Sequence, residues 1–327
     1  MRKENRKGGF RLFMKYVLVF ILAVVAGAGS KFLITPSWSK KYTVNWSDKI
    51  GTKVVDIAYG DKDSNKFDLY LPKDDTKDNY GLVVYLHAGG FTSGDKADDA
   101  STLEWLCSKG YVAVGINYTL RSEEHPEVSV LTQSNEIKEA IPAVLEEAEK
   151  QGYHIDKMTI AGGSAGHCLA MIYTYRDGKD APVPVVFTYG GVGPSNFHRE
   201  DWGCYGLDQD TDESIKATQL LFSSMLGEML TEEEIRDGSY LEKMHIISAS
   251  EWVSNNPVPT VVAYGTYDRV QAFPASLRLK EALEENNVDY KYLEFTHSGH
   301  GLQNDNAMQK KWMEAVEEYL NKYMPTE

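Results

Sequence analysis

The sequence predicts an α/β protein built on a mostly parallel, doubly wound β-sheet with helices on both faces. Short apolar runs that suit buried strands alternate with segments of helical hydrophobic spacing, and strands separated by helices form parallel sheets. The chain has 327 residues, which is enough for one large domain with its own core. Ligands of such sheets bind beyond the carboxyl ends of the strands.

The N-terminal segment differs in composition from the rest of the chain. Residues 1–15 are basic and residues 16–28 are uninterruptedly apolar. This pattern is typical of a cleaved signal peptide, but the apolar stretch continued through residues 32–34 also suits an uncleaved membrane anchor. We expect residues 1–34 to be one or the other. The protein is then extracytoplasmic, secreted or anchored to the membrane by this segment alone, with residues 35–52 as a connector.

The composition of the chain excludes some classes of partner. Its net charge is −14 although six of its first 30 residues are basic, so the body is acidic and repels phosphate backbones. We therefore expect no nucleic-acid partner. Cys107, Cys168 and Cys204 have no paired spacing, which indicates neither a disulfide framework nor a zinc site. No signal for an oligomeric state is evident.

The predicted elements follow one another through a single domain at residues 53–327. Residues 53–59 and 66–71 alternate apolar and polar side chains, as two antiparallel strands do. Further strands are predicted at residues 82–86, 111–118, 183–189, 260–264 and 290–295, and helices at 102–109, 135–151, 215–230, 231–247, 275–286 and 308–323. The acidic, partly helical stretch at residues 190–256 predicts a cap-like insertion over the edge of the sheet that binds ligands.

The stretch TIAGGSAGHCLAM at residues 159–171 predicts a strand, an abrupt turn and a helix, with Ser164 at the turn. Gly162 and Gly166 are small enough to let strand and helix close beneath this serine. The helix begins directly after it, so the Ala165 N–H points to where negative charge develops on an attacked carbonyl. Ser164 is therefore the candidate nucleophile, and a glycine-rich turn without chemistry is the alternative.

A serine hydroxyl becomes nucleophilic when a base takes its proton and a third group orients that base. Asp268 follows the predicted strand at residues 260–264, and His300 follows the strand at residues 290–295, so both lie at the same sheet edge as Ser164. The order Ser, Asp, His is that of hydrolases with such a turn. We predict Ser164 as nucleophile, His300 as general acid and base, and Asp268 as the group that orients His300.

Each partner has an alternative. His297 competes with His300, but Gly299 and Gly301 let the loop around His300 approach the serine closely. Asp268 could instead cap a helix. The two histidines could form a metal site, but no carboxylate–histidine pattern supports it, and we expect no metal.

The sequence HAGG at residues 87–90 predicts the second part of an oxyanion hole. Backbone N–H groups reach an anion only where no side chain intervenes, so Gly89 and Gly90 are predicted donors together with Ala165. We expect His87 to brace this loop by hydrogen bonding. A plain tight turn is the alternative.

The insertion must leave and rejoin the sheet at the edge that carries the nucleophile, so its aromatic residues are candidates for a substrate pocket. Trp202, Tyr205 and Phe222 are the predicted pocket residues, with further candidates at Phe197, Leu221 and Met225. Packing of these side chains onto the core is the alternative.

From about residue 82 to its C-terminus the chain resembles the esterase/lipase branch of the α/β-hydrolase superfamily, related to hormone-sensitive lipase and to small acetyl-esterase-like hydrolases. The resemblance rests on HAGG at 87–90, NY at 117–118 with Leu120, GGSAG at 162–166, GTYD at 265–268 with Val270, and GHG at 299–301. It implies the α/β-hydrolase fold and hydrolysis of a small carboxylic ester, with a short acyl group, through an acyl-enzyme and without a cofactor. A serine peptidase of the prolyl-peptidase type and a non-catalytic binding module of the same fold are the alternatives.

Three positions depart from the pattern usual in that branch. Ala88 and His167 stand where glycine is common, and Asn117 stands where aspartate is frequent. The first two leave the N–H donors intact, so we expect them to alter the walls of the substrate pocket and not the mechanism.

Overall fold

The computed structural model describes residues 36–326, so the predicted export segment at residues 1–34 lies outside the described residues. The described chain falls into two units, of which one ends at Thr43 and the other begins at Val44. Ser37–Tyr42 form a 3-10 helix in the first unit. The second unit thus begins within the predicted connector. Within residues 36–326, the helices are all too short or too polar to cross a membrane.

One eight-stranded sheet organises the unit that begins at Val44. Its strand order is β1-β2-β4-β3-β5-β6-β7-β8. The strands are β1 (Gly51–Ala58), β2 (Lys66–Pro72), β3 (Tyr80–Leu86), β4 (Val112–Ile116), β5 (Ile155–Gly163), β6 (Val185–Gly191), β7 (Thr260–Gly265) and β8 (Tyr290–Phe295). Strand β2 pairs antiparallel with β1 and β4, and the other neighbours pair in parallel. The predicted mostly parallel sheet is confirmed.

Helices connect and cover these strands. They are α1 (Ala100–Ser108), α2 (Val130–Lys150), α3 (Ala165–Ile172), α4 (Asp212–Leu226), α5 (Glu232–Asp237), α6 (Tyr240–Met244), α7 (Phe273–Glu285) and α8 (Asn306–Tyr323). The chain runs from β3 outward to β4 through α1, then back past β3 to β5 through α2. Because parallel crossovers are right-handed, this reversal places α1 and α2 on opposite faces of the sheet.

Because of the same reversal, the loops that follow β3 and β5 start at neighbouring strand ends but lead to opposite faces of the sheet. The crevice where α/β sheets bind ligands opens between two such loops. Leu86, the last residue of β3, pairs in register with Gly162 near the end of β5. The oxyanion loop predicted after β3 and the nucleophile turn predicted after β5 therefore begin side by side. The sheet is well covered beside them, since all five residues of β4 are buried.

Three helices differ from their predicted bounds for local reasons. The helix predicted at residues 215–230 ends at Leu226, because Gly227 adopts φ +84°, a left-handed conformation. The helix predicted at residues 135–151 already begins at Val130, because the Ser129 hydroxyl accepts the Thr132 N–H and the Thr132 hydroxyl accepts the Ser129 N–H. The helix predicted at residues 231–247 is broken into α5 and α6. Gly238 adopts φ +82°, a left-handed conformation that ends a helix.

Candidate active site

The turn between β5 and α3 carries Ser164 in a strained conformation, with φ 51° and ψ −118°. Its N–H donates to the carbonyl of Gly191 on the neighbouring strand at 2.9 Å, which helps to hold the strained turn. A Cβ atom added to Gly162 would lie 2.5 Å from the carbonyl carbon of Gly166. Glycine is required at this close approach of strand and helix, as the sequence predicts.

The structure brings the three predicted triad residues together. The Ser164 Oγ lies 2.7 Å from the His300 Nε2, and the His300 Nδ1 lies 2.8 Å from the Asp268 Oδ2. The other carboxylate oxygen of Asp268 accepts the N–H groups of Val270 at 2.8 Å and Gln271 at 2.9 Å. With its Nδ1 proton donated to this buried carboxylate, the imidazole can accept the serine proton at Nε2.

His297 lies outside this arrangement. Its Nδ1 is 2.7 Å from the Asp305 Oδ1, its N–H donates to the Asp305 Oδ2 at 2.8 Å, and its side chain is 77% exposed. The geometry therefore favours His300 as the base, and its catalytic role stays a prediction.

A cavity of about 210 Å³ opens beside the serine. The insertion between β6 and β7 contributes much of its wall, as predicted, since the chain crosses the carboxyl edge of the sheet there. The lining residues are Gly90, Phe91, Ser164, Ala165, Val192, Pro194, Trp202, Tyr205, Leu221, Met225, Val270, Gln271 and His300.

The predicted pocket residues divide into two groups. Trp202 and Tyr205 line the cavity, but Phe222 does not, and its prediction as a lining residue is wrong. Phe222 is fully buried, with its ring centroid 5.7 Å from that of Trp202. Leu221 and Met225 share one face of α4 at a spacing of four residues, whereas Phe222 is rotated about 100° from Leu221 and points into the insertion's own core.

Phe197 is likewise fully buried, with its ring centroid 5.6 Å from that of Phe222. It does not line the cavity either. These rings hold the insertion together, which is the alternative raised for them from the sequence.

The predicted oxyanion donors occupy two positions. Gly90 and Ala165 line the cavity, and no acceptor among residues 36–326 takes either N–H. Gly89 does not line it: with φ +129° it forms the turn, and its carbonyl accepts the Ser93 N–H at 3.0 Å. The geometry supports Gly90 and Ala165 more directly than Gly89, whose donor role stays a prediction.

His87 braces the oxyanion loop, as expected. Its ring stacks on that of Tyr118 at a centroid distance of 4.2 Å, and its Nδ1 lies 2.7 Å from the Ala88 carbonyl oxygen. The Tyr118 hydroxyl donates to the His87 carbonyl at 2.8 Å. Burial lowers the pKa of His87, which favours the neutral ring.

The expectation that His167 and Ala88 alter the pocket walls is wrong, since neither lines the cavity. His167 is fully buried beneath the turn, where its Nδ1 accepts the Gly193 N–H at 3.2 Å. Burial lowers the pKa of His167 to about 3, so the ring is neutral and supports the loop after β6.

Sequence reasoning missed five lining residues: Phe91, Val192, Pro194, Val270 and Gln271. Phe91 and Val192 follow a predicted donor and a predicted strand end, so their positions could have indicated them. Gln271 lies three residues after the predicted acid, where no local pattern distinguishes it from other loop residues.

Two comparisons of sequence relate the chain to known proteins. A family model, BD-FAE, matches residues 67–283. Kynurenine formamidase of Danio rerio is 28% identical over 120 residues, and that of Salmo salar is identical to the same extent. Each alignment covers 36% of this chain and only 38% of the length of the curated relative.

Solved structures show the same fold. Esterase B from Lactobacillus rhamnosis superimposes with a TM-score of 0.62 at 16% identity, over 92% of this chain and 95% of that one. A thermophilic esterase from the Planctomycetes species Thermogutta terrifontis gives a TM-score of 0.64 at 22% identity, over 83% of this chain and 92% of that one.

Proposed function

The chain belongs to the BD-FAE family of α/β-hydrolase esterases, and from this membership we propose that it is a serine hydrolase of carboxylic esters. The observation that carries the proposal is the continuous contact from Asp268 through His300 to the Ser164 Oγ, at 2.8 and 2.7 Å, beside a cavity. The substrate is a small-molecule ester, and the reaction needs no cofactor.

The geometry supports a reaction in two halves. As the Ser164 Oγ attacks the ester carbonyl carbon, the His300 Nε2 takes its proton and Asp268 stabilises the imidazolium. The N–H groups of Gly90 and Ala165 bind the oxyanion. His300 then protonates the departing alcohol, which leaves the acyl group on the serine. In the second half His300 deprotonates a water that attacks the acyl carbon, and it returns that proton to the Ser164 Oγ as the bond between serine and acyl group breaks and the carboxylic acid leaves.

The cavity supports a short acyl group. Its volume of about 210 Å³ is below the roughly 300 Å³ at which pockets for drug-sized ligands begin. Trp202, Leu221 and Met225 wall it from the side of the insertion, which keeps water from the bound ester.

A formamide is a second candidate substrate, because the curated relatives that match are kynurenine formamidases. The same serine attack would cleave a C–N bond, with His300 protonating the departing amine. An N-formyl anilide placed beside the esters distinguishes the two.

The experiment combines a fluorophosphonate label with p-nitrophenyl esters of rising acyl length. The wild type should be labelled and should turn over acetyl and propionyl esters fastest. Ser164→Ala should lose the label and about a millionfold in kcat, whereas Ser108→Ala at the end of α1 should keep both. Substantial hydrolysis by Ser164→Ala would refute the nucleophile, and an unlabelled, inactive wild type would favour a binding module.

We also propose that the protein is extracytoplasmic, on the basis of the basic and apolar residues 1–34. N-terminal sequencing of the native protein tests this. A start near Gly29 indicates cleavage, an intact Met1 in the membrane fraction indicates an anchor, and recovery in the cytosol alone refutes both.

A further inference from the structure

The turn that carries the oxyanion donors has an unusual backbone. Gly89, Gly90 and Phe91 have φ values of +129°, +60° and +67° in succession. Glycine adopts such values without strain, but phenylalanine does so only where surrounding contacts hold it there. Phe91 directly follows the donor Gly90 and lines the same cavity. Whatever holds Phe91 therefore also fixes the direction of the turn.

A buried amide on α2 holds it. The Gln133 Nε2 donates to the carbonyl oxygen of Phe91 at 2.9 Å and to that of Thr119 at 2.8 Å. Two carbonyl acceptors identify this atom as the nitrogen of the amide, since an oxygen there would face two other oxygens. The Arg121 N–H also donates to the Phe91 carbonyl, at 3.0 Å. Gln133 thus ties the oxyanion turn to the loop after β4.

The oxygen of the Gln133 amide has no hydrogen-bond partner in the described part of the chain. The side chain is fully buried. A buried polar atom without a partner is destabilising. An apolar side chain of the same size would avoid that cost but would leave the Phe91 carbonyl with the Arg121 N–H as its one donor and would remove the link to Thr119. What the amide provides here is therefore the two donated hydrogen bonds.

We propose that Gln133 is a positioning residue for the oxyanion hole, and this rests on the proposed esterase function. It does not reach the substrate and acts through the Phe91 carbonyl on the Gly90 N–H. Because the oxyanion exists only after attack on the carbonyl, a loosened turn should lower kcat and leave KM nearly unchanged.

The test uses Gln133→Met, which keeps the length of the side chain and removes both donors. We expect kcat on an acetyl ester to fall about 10- to 100-fold, less than the 10²- to 10³-fold typical of losing a whole oxyanion donor. KM should change little. The melting temperature should fall, because two buried hydrogen bonds are lost, although removal of the unpaired Oε1 offsets part of that loss. The rate of labelling by a fluorophosphonate, whose oxygen occupies the oxyanion site, should fall in parallel.

Gln133→Glu is the conservative variant. As a neutral acid it keeps the shape and one donor, so its kcat should lie between those of wild type and Gln133→Met. Tyr153→Phe is the matched control, because it removes one buried hydrogen bond, from the Tyr153 hydroxyl to the Pro72 carbonyl at 2.7 Å, far from the site. It should lower the melting temperature and keep kcat.

Unchanged kcat in Gln133→Met would overturn the proposal. An equal fall of kcat in Tyr153→Phe would also overturn it, because the fall would then follow from lost stability alone. Failure of both Gln133 variants to fold would show a structural role and also overturn it. The proposed function fails separately, if the wild type is inactive or Ser164→Ala is active.

Discussion

Two histidine–aspartate pairs lie at the carboxyl edge of the sheet, with their histidines only three residues apart. The Nδ1 of His297 is 2.7 Å from Asp305, and the Nδ1 of His300 is 2.8 Å from Asp268. The difference lies in the second ring nitrogen: that of His300 contacts the Ser164 Oγ, whereas the His297 ring is largely exposed. A histidine–aspartate pair alone therefore does not identify a general base.

The two aspartates also differ in what they connect. Asp305 accepts the His297 N–H and the Ser298 hydroxyl, both at 2.8 Å, and so closes the loop to which it belongs. Asp268 follows β7 and its histidine follows β8, so this pair joins two neighbouring strand ends. The first pair shapes a loop, and the second places a base against the nucleophile.

The largest expected effect separates the two histidines. His300→Ala should lower kcat about a millionfold, as for Ser164→Ala, because base and nucleophile act as one unit. His297→Ala should keep kcat within about threefold, since it removes only a loop contact. Steady-state kinetics on an acetyl ester check both, and the reverse ranking would transfer the role of base to His297.

The aspartates should differ in the same way. Asp268→Asn should lower kcat about 10⁴-fold, because the amide no longer fixes the tautomer with a proton on the His300 Nδ1. Asp305→Asn should instead lower the urea midpoint of unfolding and leave kcat nearly intact. Equal kinetic losses in the two variants would mean that the loop pair also serves catalysis.

A smaller contrast of this kind exists within α4. Met225→Ala should enlarge the cavity and raise kcat/KM for a longer acyl ester relative to acetyl by about tenfold, as expected for a few methylene groups. Phe222→Ala should lose about 3–5 kcal/mol of stability and keep the wild-type preference. The ester panel and urea unfolding measure these effects, and a shifted preference in Phe222→Ala alone would place the pocket deeper in the insertion.

The smallest effect concerns the pH dependence of stability at Asp305. Burial raises the pKa of this carboxyl, but hydrogen bonds from the His297 N–H, the His297 ring and the Ser298 hydroxyl outweigh it and lower the pKa overall. A lowered folded pKa means that the carboxylate stabilises the protein above its unfolded pKa of about 3.9 and loses this contribution as the pH falls further.

The difference in urea midpoint between wild type and Asp305→Asn should therefore be steady above about pH 5 and shrink below about pH 4. Asp180→Asn, at an exposed position, serves as the control. A difference that grows on acidification would contradict the assigned direction.

Residue types and their spacing were enough to predict the alternation of strands and helices, the turn around Ser164, and the placement of Asp268 and His300 after neighbouring strands. These features are local. Gly162 and Gly166 are needed wherever a strand and a helix approach so closely, and the parallel sheet brings the carboxyl ends of its strands to one edge. The family resemblance rests on the same short motifs, and the match to BD-FAE over residues 67–283 confirms it.

The contacts between side chains from distant segments could not be predicted in this way. Gln133 contacts Phe91 across 42 positions of sequence, and His300 reaches Ser164 across 136. The aromatic side chain of Phe222 suits a pocket, but Phe222 is fully buried, and its direction depends on how α4 is rotated against the sheet. Residue type and spacing describe one element at a time, whereas the distance and rotation between elements follow from the packing of the whole core.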